Sequence, residues 1–163
     1  VYKRQVVGYG ATCDAYHMTR PLPSATQLAS AMKIALEDGN IQPEEVQYIN
    51  AHGTSTPLND ANETLAIKKV FGNHAYSLAV SSLKSMIGHP QGASGAAGVT
   101  ATVLAMENNY LPPTINYENP DPDCDLDYVP NKGRRTKVNV GMCNSIGFGA
   151  KNSVIVLRKY KRL

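Results

Sequence analysis

The 163 residues of the chain, 17.6 kDa, are 42% apolar and 18% charged, which fits one globular domain and excludes disorder or a fibrous repeat. Sixteen basic against thirteen acidic residues leave a net charge of +3, too small and too scattered to imply nucleic acid or an anionic membrane as a partner. No apolar run nears the roughly 20 residues of a membrane span, and the start shows no secretory signal.

Residues 6–10 are β-branched and close on Gly-Tyr-Gly, predicting a strand that runs into a turn. Residues 14–23 carry two prolines and no period, so they form a loop. With Ser24 as N-cap, the next stretch is helical. Leu28, Met32, Ala35 and Leu36 share one stripe, and Gly39-Asn40 supply the stop. Residues 46–50 predict a buried strand. A second helix begins near Asn59 or Asp60, with Leu65, Ile67 and Val70 as its apolar members, and residues 78–82 predict another short strand.

The stretch 88–106 is helical in its second half, through Val99, Val103 and Met106. In its first half Gly88, Gly92, Gly95 and Gly98 recur every three or four residues. That spacing predicts a helix face almost free of side chains, where a second backbone packs closely; each glycine costs about 1 kcal/mol against alanine. Pro112-Pro113, Pro120 and Pro122 mark an extended connection, and residues 138–142 and 154–157 predict a closing strand pair around a glycine-rich turn. Strands alternating with helices define an α/β domain with a largely parallel or mixed sheet. Residues 1–163 form a single domain, with no internal repeat or linker.

Cys13, Cys124 and Cys143 are odd in number and form no CxxC pair. They read as three buried free thiols in a reducing, cytoplasmic compartment rather than as a disulfide framework or zinc ribbon.

Two segments gather chemistry at strand ends, where loops diverge and ligand groups collect in α/β folds. Asn50-Ala51-His52-Gly53-Thr54-Ser55-Thr56 sets a histidine after a buried strand, and Ser82-Leu83-Lys84-Ser85-Met86-Ile87-Gly88-His89 repeats the arrangement with a lysine. A single histidine of this kind is more often bonded within its own turn; two on adjacent strand ends favour function. His74 reads as a surface residue, and His17 lies in the loop of residues 14–23. The segment 144–152 holds a GxG without the third glycine of a dinucleotide site, and residues 88–98 lack the ending of a P-loop. His52 and His89 have no carboxylate or thiol at metal-site spacing, so no metal is expected.

Together, residues 50–56, 84–89 and 144–149 resemble the C-terminal half of a β-ketoacyl-acyl carrier protein synthase, the condensing enzyme of fatty-acid and polyketide synthesis. Residues 14–19 and 112–116 match the same family, and the similarity runs in order from about Val6 to Leu157. The elongating, type II-like synthases are the most similar. The resemblance implies a thiolase-like fold, of which this chain is the C-terminal βα half of an αβαβα sandwich. It also implies a decarboxylative Claisen condensation between malonyl-carrier and an acyl thioester held on cysteine.

The family's two catalytic histidines map onto His52 and His89, and its supporting lysine onto Lys84. Two neutral imidazole N–H groups aimed at one thioester oxygen form an oxyanion site for the charge that decarboxylation creates. Thr54 and Thr56 match hydroxyls that meet the phosphopantetheine arm, with turn capping as the plainer alternative, and Thr19 with His17 lines the arm's tunnel. Phe148 matches the gate to the acyl pocket, swinging on Gly147 and Gly149.

The family's nucleophilic cysteine lies in the N-terminal half, which this chain lacks, and none of the three thiols here replaces it; Cys143 comes nearest but corresponds to a wall residue. The chain alone is therefore expected to be inactive, with residues 1–5 read as a junction scar. Three departures stand out. Ile146 replaces a second phenylalanine. Gly98 replaces a glutamate that faces the lysine, leaving Asp60 or Glu63 as its counter-ion. Ala150-Lys151 replaces Gly-Thr. The implied partners are acyl carrier protein, a second copy in a homodimer and the N-terminal half. No cofactor is implied, since phosphopantetheine arrives on the carrier. The alternatives are a non-catalytic, chain-length-factor-like partner subunit, and an orphan domain that folds but binds nothing.

Overall fold

The computed structural model describes residues 4–149 and 151–160. In chain order it contains β1 (Arg4–Cys13), α1 (Thr26–Asp38), β2 (Tyr48–Asn50), α2 (Asn59–Phe71), β3 (Ala79–Ser81) and α3 (Lys84–Ile87). Then come α4 (Ser94–Asn108), the short pair β4 (Tyr110–Leu111) and β5 (Arg134–Arg135), β6 (Val140–Gly147) and β7 (Lys151–Lys159). Five strands make one mixed sheet in the order β1-β7-β6-β2-β3. β2 runs parallel to β3 and β6, while β7 is antiparallel to both β6 and β1. The parallel β2, β3 and β6 therefore end on one side of the sheet, and that side carries the site.

Helices cover both faces. α1 and α2 bury Leu28, Met32, Ala35, Leu36, Ala66 and Ile67 against Ile49, Val80, Met142 and Val156. On the opposite face Ala105 and Met106 of α4 pack on Tyr48, Ala79 and Leu157. No described helix is long and apolar enough to cross a membrane.

Several expectations change in detail. Arg4 and Gln5 pair with Lys159 and Arg158, so β1 begins before the predicted strand; Val1, Tyr2 and Lys3 lie outside the described residues, as does Ala150. Ser24 does not cap α1, because its Oγ bonds Thr26 Oγ1 at 3.1 Å, and the helix starts after Ala25 in a left-handed turn. On α2 Leu65 is 40% exposed; the buried stripe instead carries Asn59, Glu63, Thr64, Ala66, Ile67 and Phe71. β6 and β7 extend through most of the predicted glycine loop, because backbone pairing continues to Gly147 opposite Lys151.

The continuous glycine face does not form. Pro90 breaks the helical path, so Gly88 ends α3 at φ +73° and Gly92 sits in a separate turn, both in open space. Only Gly98 meets a close neighbour: a Cβ there would lie 2.7 Å from Cys143 Sγ and 3.2 Å from Asn50 Oδ1. The thiols are free, but only Cys143 is buried, Cys124 is half-buried and Cys13 is exposed. His74 is half-buried too, its Nε2 2.9 Å from Val46 O, which anchors the approach to β2.

Candidate active site

The loop after β2 is held by one carboxylate. Glu63, buried on α2, accepts His52 N–H and Asn144 Nδ2–H on Oε1, each at 2.9 Å. Its Oε2 accepts Gly53 N–H at 2.9 Å and Asn59 Nδ2–H at 3.4 Å. Four N–H donors match the acceptor capacity of an ionised carboxylate. Burial pushes the Glu63 carboxyl above the ordinary range, and the bonds from Gly53, Asn144 and His52 oppose that rise. Gly53 itself sits at φ +39°, and a Cβ there would come within 2.5 Å of Ser82 Cβ. Ser82 Oγ donates to Gly53 O at 2.6 Å, stitching the ends of β2 and β3 together.

His52 and His89 converge: their ring centroids are 5.5 Å apart and their planes meet at 80°. Each Nδ1 receives a backbone N–H, His52 from Ile146 at 3.3 Å and His89 from Gln91 at 3.0 Å. A nitrogen that accepts cannot carry the proton, so both neutral rings hold it on Nε2 and present an N–H donor there. His52 is 6% exposed. Burial, then the charges of Lys84 and His89, lower its pKa from 6.5 to about 3, so it remains neutral.

The sign of that shift sets a pH dependence. Below pH 6.5 the unfolded chain binds a proton at His52 that the folded chain refuses. The contribution to stability is complete above 6.5 and disappears as pH falls toward 3. Urea melts between pH 7 and pH 4 should therefore lose more stability in the wild type than in His52→Gln; equal losses would remove His52 as the cause.

Lys84 opens α3 and is half-buried, and burial lowers its pKa against the opposing pull of Glu63, Cys143 and Asp60. Neither predicted counter-ion forms an ion pair with it: among the described residues no carboxylate lies within 4 Å of Lys84. Glu63 is already committed to its four donors, and a side chain at Gly98 would collide with Cys143 and Asn50. Thr54 and Thr56, their Oγ1 atoms 3.1 Å apart, line a cavity of about 670 Å³ together with Lys84, Ser82 and Thr114.

His52 and His89 are not part of that cavity's lining, and the remaining predicted residues also stand outside it. His17 is exposed, and its Nδ1 receives the N–H groups of Thr19 and Arg20 at 3.1 and 3.2 Å, so this loop turns on itself. Gly149 N–H donates to Met18 O at 2.7 Å, which joins the loop to the tip beyond β6. On that tip Phe148 is 79% exposed, whereas Ile146 packs against the core. Cys143 is no nucleophile: burial, reinforced by Glu63 and opposed by Lys84, pushes its thiol up to about 12.

The positioning roles of Glu63, Ile146 and Gln91 are not visible in the motifs. For Glu63 one signal exists, since Asn59, Glu63, Ala66 and Ile67 share helical spacing and place a carboxylate on a buried stripe.

The α/β layers and the imidazole pair at the parallel strand ends define a thiolase-like ketosynthase half. Superposition supports this with TM-scores of 0.95 for a chain of a type II PKS acyl-carrier protein in complex with its ketosynthase bound to the hexaketide (44% identical, covering 97% of this chain and 39% of that one), and 0.90 for a β-ketoacyl synthase from Burkholderia phymatum (37% identical, 97% and 38%). The model of the beta-ketoacyl synthase, C-terminal domain, matches residues 4–118, and the chain belongs to that family. Curated relatives include the 3-oxoacyl-[acyl-carrier-protein] synthase 2 of Synechocystis sp., 54% identical over 96% of this chain, and that of Coxiella burnetii, 56% identical over 95%. The chain spans 38% and 37% of their lengths.

Proposed function

We propose that the chain supplies the oxyanion-binding part of a 3-oxoacyl-[acyl-carrier-protein] synthase that elongates fatty-acid or polyketide chains. The carrying observation is that the rings of His52 and His89 lie 5.5 Å apart, each receiving a backbone N–H on Nδ1 and so left with its donor on Nε2. As malonyl-carrier loses carbon dioxide, the electron pair of the broken bond moves onto the thioester as an enolate. Its oxygen sits against the two donors, which exist before the charge appears and need no reorganisation. The enolate carbon then attacks an acyl thioester on cysteine, forming the new carbon–carbon bond and releasing the thiolate. That cysteine comes from outside these residues, since Cys143 is buried and held protonated.

Acyl carrier protein delivers both substrates on its phosphopantetheine arm, with Thr54 and Thr56 receiving the arm, and the complete enzyme works as a homodimer. The free thiols fit the cytoplasm. A chain-length-factor-like partner subunit is the second reading, since a ketosynthase/chain length factor is among the structural relatives, at TM-score 0.90. The paired donors favour the catalyst, because a non-catalytic partner has no use for them.

Joined to an N-terminal half that carries the cysteine, the chain should release carbon dioxide and form 3-oxoacyl-carrier, and by itself it should do neither. Condensation by the chain alone, or a joined enzyme with intact cysteine acylation but no decarboxylation, would overturn the proposal. Phe148→Ala should change acyl loading severalfold while leaving decarboxylation close to normal. Equal effects on both steps would remove its gating role.

A further inference from the structure

His89 has weak local support. It is exposed, it follows Gly88 at φ +73°, and it precedes Pro90, which has no N–H to tie the backbone down. Its backbone donor comes from Gln91, a residue with φ +50° in a turn of three residues. Left-handed backbone at a non-glycine residue is strained and persists only when its surroundings enforce it. The ring that must aim Nε2–H at the enolate is thus held by a short, strained segment.

A second contact ties the ring to something rigid. Ser94 Oγ lies 3.1 Å from His89 Nδ1. Because Nδ1 already accepts from Gln91, the hydroxyl must be the donor. Ser94 is the first residue of α4, a 15-residue helix packed across β2 and β6. β2 leads into His52, and β6 carries Ile146, whose N–H fixes the His52 ring. Among the described residues Ser94 is the one side chain that hydrogen-bonds His89.

We propose that Ser94 is a positioning residue for His89: its hydroxyl donates to Nδ1, keeps the ring proton on Nε2, and fixes the imidazole to the same framework that orients His52. The assignment rests on the oxyanion reading above. Two donors on one lone pair exclude the Nδ1–H tautomer more firmly than one, and the helix-borne donor also sets the angle of the ring.

The test uses the joined enzyme described above, with Ser94→Ala and Ser94→Thr. Ser94→Ala should lower the decarboxylation kcat about tenfold with KM nearly unchanged, leave cysteine acylation intact, and be rescued by Ser94→Thr, which keeps the hydroxyl. In nitrogen-15 spectra of labelled histidine, with His89→Gln for assignment, Ser94→Ala should move the His89 Nδ1 resonance and Ser94→Thr should return it. Wild-type decarboxylation in Ser94→Ala, an unmoved Nδ1 signal, or equal losses in Ala and Thr would each overturn the proposal. If the wild-type enzyme acylates its cysteine yet fails to decarboxylate, the oxyanion reading falls instead, and the nitrogen spectrum still decides whether Ser94 holds the ring.

Discussion

His52→Ala in the joined enzyme is expected to lower malonyl decarboxylation by about 10²–10³-fold while cysteine acylation continues. The magnitude is that of losing one preorganised donor to a developing oxyanion, about 3 kcal/mol of barrier. The selectivity follows from geometry: the His52 ring takes the Ile146 N–H on Nδ1 and keeps Nε2–H for the enolate, so its removal strikes the step in which that charge forms. Acylation serves as the internal control for folding, because a collapsed site would lose both steps. Normal decarboxylation in this variant would end the oxyanion assignment.

Glu63→Ala carries the largest expected cost in stability. It would strand the N–H groups of His52 and Gly53 and the amides of Asn59 and Asn144, most of them buried. Each buried donor without a partner costs about 1–3 kcal/mol. Partial relaxation of the loop should leave a net loss of about 3–5 kcal/mol by urea denaturation, together with loss of decarboxylation as His52 drifts. Glu63→Gln should not rescue it, since its amide NH₂ would face one pair of donors with donors of its own. Wild-type stability in Glu63→Gln would show that the carboxyl does not accept all four bonds.

The sequence was most legible where chemistry and local pattern coincide. His52, His89 and Lys84 follow strand ends, and those ends lie side by side because β2 and β3 pair in parallel. The stripe of Leu28, Met32, Ala35 and Leu36 was equally plain, because helical period and burial say the same thing. Glu63 was expected as a counter-ion to Lys84, since charge pairing is what a residue list displays. The fold instead gives it backbone N–H groups ten and eleven residues earlier in the chain, and main-chain donors leave no mark on composition. The glycine spacing misled for a related reason: period alone does not register Pro90, which divides the stretch so that only Gly98 meets a close neighbour. Leu65 shows the same limit, an apolar residue whose side of α2 meets solvent.

The register of β1 against β7 has a practical result for engineering. Arg4 sits opposite Lys159, and Cys13 opposite Lys151, so Arg4 and Lys159 lie at the other end of the strands from Ile146 and the His52 ring. Along β6, from Val140 beside that end to Ile146 beside the His52 ring, the separation is about 20 Å. An affinity handle or fluorescent reporter attached beyond Lys159 therefore stands clear of the two imidazoles.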